Sequence, residues 1–107
     1  MDEQLINVAM QIILHAGNAR NYANDALKAA KEFDFDKADK LMQDADKSVV
    51  EAHKAQTETL QSEMNGDTHD YSILFTHAQD TLMTIMSEIN LSKEIIDVLK
   101  IINKKTK

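Results

Sequence analysis

Leu74-Phe75-Thr76-His77-Ala78-Gln79-Asp80-Thr81-Leu82-Met83-Thr84-Ile85-Met86-Ser87-Glu88-Ile89 is the stretch on which the fold turns. Leu74, Ala78, Leu82, Ile85 and Ile89 recur at three- and four-residue steps, the spacing that places side chains on one face of an α-helix. The stripe continues through Ile95, Ile96, Leu99 and Ile102, so a single helix is expected from about Tyr71 to Lys104. Toward the N-terminus, Ala38, Leu41, Met42, Ala45, Val49, Ala52 and Leu60, with Gln56 filling the gap, predict a second helix from about Phe35 to Met64. Leu5, Ala9, Ile12, Ile13, Ala16, Ala19, Ala23, Ala26, Leu27 and Ala30 predict a first helix from about Glu3 to Lys31.

The breaks between these segments are short. Phe33-Asp34-Phe35-Asp36 ends the first helix, and an aspartate there can cap the second. Asn65-Gly66-Asp67-Thr68 ends the second: Asn and Gly suit a left-handed C-terminal position, and Asp67, Thr68 or Asp70 can cap the third helix. The chain contains no proline and two glycines, so turn punctuation is sparse and the elements must be few and long. Short connections make sequential helices antiparallel. The expected fold is all-α, an up-down-up three-helix bundle spanning residues 1–107 as one domain, each helix roughly 45 Å long at about 1.5 Å per residue. Ile73, Met83, Met86 and Val98 on the third helix, and Ile6, Val8, Met10 and Leu14 on the first, lie off the main stripes. A three-helix monomer buries one stripe per helix, so these second apolar sets predict an oligomer.

Composition removes several functions. The 107 residues carry 18 acidic and 12 basic side chains, a net charge of −6, whereas nonspecific nucleic-acid binding needs clustered cations. Lys104, Lys105 and Lys107 form the one basic cluster, and it complements the C-terminal dipole of the third helix. There is no cysteine, hence no disulfide framework and no thiolate metal site. Met1-Asp2-Glu3 is acidic where a secretory leader would be basic, and no apolar run reaches the length of a membrane span. A soluble, cytoplasmic protein is expected, without direct membrane insertion and without a nucleic-acid partner.

Four histidines could carry chemistry: His15, His53, His69 and His77. The sequence has no Gly-rich phosphate loop, no Glu-x-x-His pair, no His-Glu-x-x-His and no nucleophile elbow. Ordinary hydrolytic catalysis and a di-iron carboxylate site therefore lack their signatures. His77 differs from the other histidines in its company, because Asp80 and Thr81 follow at the three- and four-residue spacings that share its helical face. A neutral imidazole keeps one ring nitrogen with a free lone pair. It can attack phosphorus with no separate base, and the labile P–N bond formed suits onward transfer. The spacing by itself fits a solvated surface histidine beside an aspartate better than it fits a nucleophile.

Three stretches add a family resemblance. His77-Ala78-Gln79-Asp80-Thr81-Leu82-Met83 resembles the His-Ala-Gln-Asp-His-Leu-Met motif of the IIA proteins of the lactose/cellobiose-type bacterial sugar phosphotransferase system. Ala16-Gly17-Asn18-Ala19-Arg20 is similar to that family's Ala-Gly-x-Ala-Arg, and Glu51-Ala52-His53-Lys54-Ala55-Gln56-Thr57 to its Glu-Ala-His-x-x-Gln-Thr. The matches fall one per helix, in family order. The resemblance implies a three-helix protomer in a homotrimer and a phosphohistidine at His77. It implies HPr as phosphoryl donor, a cysteine of the IIB component as acceptor, and the IIC membrane permease as an indirect partner. It also implies one structural Mg²⁺ per trimer at the position of Asp80, and a role in the coupled transport and phosphorylation of a β-linked disaccharide such as cellobiose, chitobiose or lactose. Thr81 departs from the family motif, which has a second histidine there.

The supporting stretches also have physical readings. Gly17 inside a helix costs about 1 kcal/mol relative to Ala, which either close helix approach or a tolerated kink would explain. Arg20 could reach a carboxylate or the transferred phosphoryl group. His53 and Gln56 share a face of the second helix, where polar satisfaction near an interface is the simplest role. Composition and periodicity also fit a non-catalytic helical-bundle interaction or regulatory module, and the two functions differ only at His77. The sugar is not encoded in a chain that touches only proteins.

Overall fold

The computed structural model describes residues 3–64 and 73–106. Within them the chain forms three α-helices and no strand: α1 (Glu3–Lys31), α2 (Phe35–Met64) and α3 (Ile73–Lys105). The bounds of α1 and α2 are those expected from the stripes. The expected turn at Asn65-Gly66-Asp67-Thr68 with its caps, His69, a start of the third helix at Tyr71 and the side chain of Leu60 lie outside the described residues. The bundle is a rod with extents of 59 × 19 × 18 Å.

α1 is the central element. It packs along both other helices, whereas α2 and α3 meet much less. The reason is in its buried residues, Leu5, Ala9, Ile12, Ala16, Ala19, Ala23, Ala26, Ala29 and Ala30. Alanine is short enough to let two helices approach one face from both sides. Bulk comes from Ile12 of α1 and from Leu82 and Ile85 of α3, all fully buried. Gly17 is not part of this close packing, since a Cβ built there meets nothing within 4 Å.

The α1–α2 connection closes as a Schellman turn. The Asp34 amide donates to the Ala29 carbonyl (3.0 Å) and the Phe33 amide to that of Ala30 (3.0 Å). Phe33 occupies the left-handed position (φ 61°) that glycine usually fills, and its ring lies 5.9 Å from that of Phe35. Asp34 then caps α2: its Oδ1 accepts from the Lys37 amide (3.3 Å), and its carbonyl takes the first helical bond, from Ala38 (3.1 Å).

Where α2 and α3 do meet, the seam is polar. Asp39 pairs with Lys100 (2.9 Å), Asp46 with Lys93 (2.9 Å), and the His53 Nε2 lies 3.2 Å from the Met86 sulfur. These contacts step seven residues forward along α2 and seven back along α3, which fixes the antiparallel register.

α3 departs from its expected stripe in its second half. Ile95 and Ile102 were expected in the core but are 43% and 46% exposed. After Ile89 the buried positions are Ser92 and Ile96. A serine tolerates that position because its hydroxyl donates to the Glu88 carbonyl (2.8 Å), so no polar group is left unsatisfied. Ile95 and Ile102 join Ile73, Met83, Leu91, Val98 and Ile101 on an exposed apolar face turned away from the core. On α1, Met10 and Leu14 are exposed as well, while Val8 of α1 and Met86 of α3 pack partly against the core.

Candidate functional site

His77 stands on the first turns of the described α3, with an exposed side chain. Its neighbours Ala78 and Leu82 face inward and are fully buried, which orients His77 outward by the helical repeat. Asp80, one turn on, is also exposed, and Thr81 is half-buried. The Thr81 Oγ1–H donates to the His77 carbonyl at 2.8 Å, a bond back along its own helix.

Four residues of α3 form a single row along the edge that faces α1: His77, Thr81, Thr84 and Glu88, at steps of four, three and four. Across from this row lies Arg20 of α1. Its Nε donates to Glu88 Oε1 (3.0 Å) and Oε2 (3.2 Å), and its Nη2 donates to Oε2 at 2.6 Å. The hydrogen bond to Glu88 pushes the guanidinium above its ordinary pKa; burial opposes it, and the charge of Glu88 adds a smaller upward push. Arg20, His77, Asp80, Thr81 and Thr84 together line one shallow, open depression.

The structure therefore brings together His77, Asp80, Thr81 and Arg20, which the sequence singled out on two different helices. The other described histidines lie elsewhere. His15 borders a second hollow, with Gln11, Glu51 and Lys54, between α1 and α2, and His53 sits on the α2–α3 seam. Sequence reasoning missed Glu88. The signal was present in the His77-Thr81-Thr84-Glu88 row, but its meaning depends on Arg20 lying opposite, which only the packing of α1 supplies.

An open depression of this kind suits a macromolecular partner. Small-molecule sites enclose most of their ligand, whereas a nucleophile on a convex helix edge is reached by another protein's surface. Residues 7–100 match the model of the family described as the lactose/cellobiose-specific IIA subunit of the phosphotransferase system (PTS). The chain belongs to that family. It is 41% identical over 98 residues to the lichenan-specific phosphotransferase enzyme IIA component of Bacillus subtilis, a match that covers 92% of this chain and 89% of that one. The crystal structure of the PTS cellobiose-specific enzyme IIA from Bacillus anthracis superposes with a TM-score of 0.91 at 39% identity, covering 98% and 96% of the two chains. The IIA(chitobiose) of an IIA–HPr complex from Escherichia coli aligns with a TM-score of 0.79 at 34% identity, covering 95% of this chain and 99% of that one.

Within this IIA chain the three motif stretches have distinct structural duties. Ala16 and Ala19 of the first are fully buried on the inner face of α1, while Arg20 reaches Glu88 of α3. Ala52 of the second is fully buried and His53 reaches across to α3. Among the described residues no cluster of three or more His, Cys, Asp or Glu side chains that could hold a metal ion occurs within the one chain. No helix of the described residues is long and apolar enough to cross a membrane.

Proposed function

We propose that this IIA chain is a phosphocarrier that accepts a phosphoryl group from phospho-HPr on His77 and passes it to the cysteine of a IIB component, for uptake through a IIC permease. The observation that carries this is the exposed His77 imidazole in an open depression flanked by a cation and hydroxyls. In the first step the lone pair of the unprotonated ring nitrogen forms a P–N bond. The bond from phosphorus to the donor atom of HPr breaks, and its electron pair stays on that donor. In the second step the cysteine thiolate of IIB attacks the same phosphorus, and the P–N pair returns to the imidazole. Both steps need in-line approach to one phosphorus, so HPr and IIB use overlapping surfaces in turn. Of the apolar residues near the nucleophile, Ala78 belongs to the core, Leu74 packs partly against it, and Met83, 57% exposed, lies on the apolar face of α3. The net charge of −6 favours a basic patch on the donor and an association that slows as salt rises.

The working unit in this proposal is a homotrimer joined through the exposed apolar face of α3, with Asp80 as the residue from each copy that would hold a Mg²⁺. The ion would supply charge neutralisation and hold the copies in register. The family and the relatives named above span lactose, cellobiose, lichenan and chitobiose; in this proposal the permease, which binds the sugar, sets the specificity.

Incubation with phosphoenolpyruvate, enzyme I and HPr tests the nucleophile. Wild type should acquire an acid-labile, alkali-stable label, and His77→Ala should acquire none while keeping its helical circular dichroism. Surface substitutions usually change stability by about 0.5 kcal/mol or less, so unfolding is not expected to confuse the result. Label that survives His77→Ala and vanishes in a His15 or His53 variant would move the site. A wild type that takes no label at all would point to a non-catalytic interaction module.

A further inference from the structure

We infer that Arg20 is the residue of this chain that binds the phosphoryl group on His77, and that Glu88 is its positioning residue. The inference rests on the phosphocarrier function proposed above and concerns how the charged intermediate is held. Three observations carry it. First, Arg20 comes from α1, yet it lines the same depression as His77. Second, Glu88 engages the Nε/Nη2 edge of the guanidinium, and the Nη1/Nη2 edge is not part of that pair. That second edge presents two parallel N–H groups, the geometry that matches phosphate oxygens. Third, the Arg20 and Glu88 side chains are 43% and 44% exposed. A pair that open contributes little to holding α1 against α3, but it leaves the guanidinium within reach of an incoming group.

Charge gives the pair a sequence of states. While His77 is bare, Glu88 neutralises Arg20 and keeps its side chain extended along the α3 row instead of dispersed in solvent. A phosphoryl group on His77 brings up to two negative charges into the same depression, and these compete with the single charge of Glu88 for the guanidinium. Asp80 alone would repel that phosphate. Thr81 cannot donate to it through a hydroxyl already committed to the His77 carbonyl, which leaves Arg20 as the cationic donor among the residues lining the depression.

The test uses the full chain, phospho-HPr as donor, and ³¹P NMR to follow the phosphohistidine. Arg20→Gln should shift the equilibrium of transfer back toward phospho-HPr by about threefold to tenfold, the scale of one charge-assisted contact at a half-exposed site. It should also raise the pH at which the phosphoryl group titrates by about half a unit, because a nearby cation stabilises the dianion. Glu88→Gln separates this role from a structural one, because it breaks the same ion pair but keeps the cation. It should retain most of the wild-type transfer equilibrium and phosphoryl titration, losing less than Arg20→Gln in both. Equal losses in Glu88→Gln and Arg20→Gln, or an Arg20→Gln chain indistinguishable from wild type in both readouts, would overturn the assignment while the phosphocarrier function stands. A wild type that accepts no phosphoryl group would overturn both.

Discussion

At position 81 this chain has a hydroxyl where the family motif places a second imidazole, and the local geometry decides what the hydroxyl can do. Thr81 is half-buried and spends its one proton on the carbonyl of His77, 2.8 Å away. A phosphoryl group offers only acceptor oxygens, so a hydroxyl bonded in this way cannot stabilise it, and the missing ring is not replaced in kind. Thr81→Val, which keeps the β-branched shape and removes the hydroxyl, should therefore change the rate of phosphoryl transfer from phospho-HPr by less than about twofold. Its melting temperature should also stay close to wild type, since back-bonding to an i−4 carbonyl contributes little to a helix. Quench-flow kinetics check the first part and thermal unfolding the second. A tenfold loss of transfer without a change in stability would show that the hydroxyl leaves its carbonyl and serves the phosphoryl group directly. Arg20 is the contrasting case at the same scale: its charge cannot be titrated away, Glu88 pairs with it, and it lines the same depression as His77.

Among the elements, α1 bears most of the packing, and Gly17 in its middle is the place where its own stability is lowest. A Cβ there would meet nothing within 4 Å, so the glycine is not required for close approach inside the protomer. Gly17→Ala should raise stability by about 1 kcal/mol through helix propensity and reduced freedom of the unfolded chain. For a domain of this size that is a rise in melting temperature of roughly 4–8 °C, measurable by calorimetry. If the substitution instead weakens binding of HPr or self-association, another chain approaches the glycine face. The limits of α1 and α2 and the inward residues of α1 were readable in the sequence, because stripes of alanine and isoleucine at helical spacing have one physical outcome. Three features were not. Ile95 and Ile102 look like core by hydrophobicity, but the true stripe passes through Ser92, whose burial depends on a bond to the Glu88 carbonyl that no pattern of apolar residues reveals. The seam pairs Asp39–Lys100 and Asp46–Lys93 depend on the register of α2 against α3. Glu88 depends on the placement of α1. At the site itself, His77, Asp80 and Arg20 were legible as residues worth attention, and it was their convergence on one depression that required the fold.

For the whole molecule, the face of α3 opposite the core sets the problem that assembly must solve. Ile73, Met83, Leu91, Val98 and Ile101 are each more than half exposed, and exposed apolar faces of this length usually bury against another chain. Asp80 lies on that same face, between Ile73 and Met83, so in the proposed trimer, with the third helices parallel about the axis, copies of this carboxylate would come together. In a trimer each pair of carboxylates about 4 Å apart would repel by about 4 kcal/mol at an effective dielectric near 20. Neutralisation must come from a bound proton or from a cation, and oxygen donors completed by water suit Mg²⁺. The apolar residues continue far beyond Asp80, to Ile101 and Ile102, so most of the contact does not depend on the ion. Chelation should therefore weaken the wild-type trimer without abolishing it at high protein concentration. Asp80→Leu removes the repulsion and extends the apolar face, so its trimer should be at least as stable as wild type, hold no divalent cation and ignore the chelator. Asp80→Asn should lose metal while keeping a polar group at the interface, which places its stability between the two. Sedimentation at micromolar concentration, with Mg²⁺ and with chelator, together with metal content by atomic emission, checks each part. A wild type that sediments as a monomer with Mg²⁺ present would sink the trimer. Metal content unchanged in Asp80→Leu would sink the ligand assignment and leave the apolar face as the sole basis of assembly.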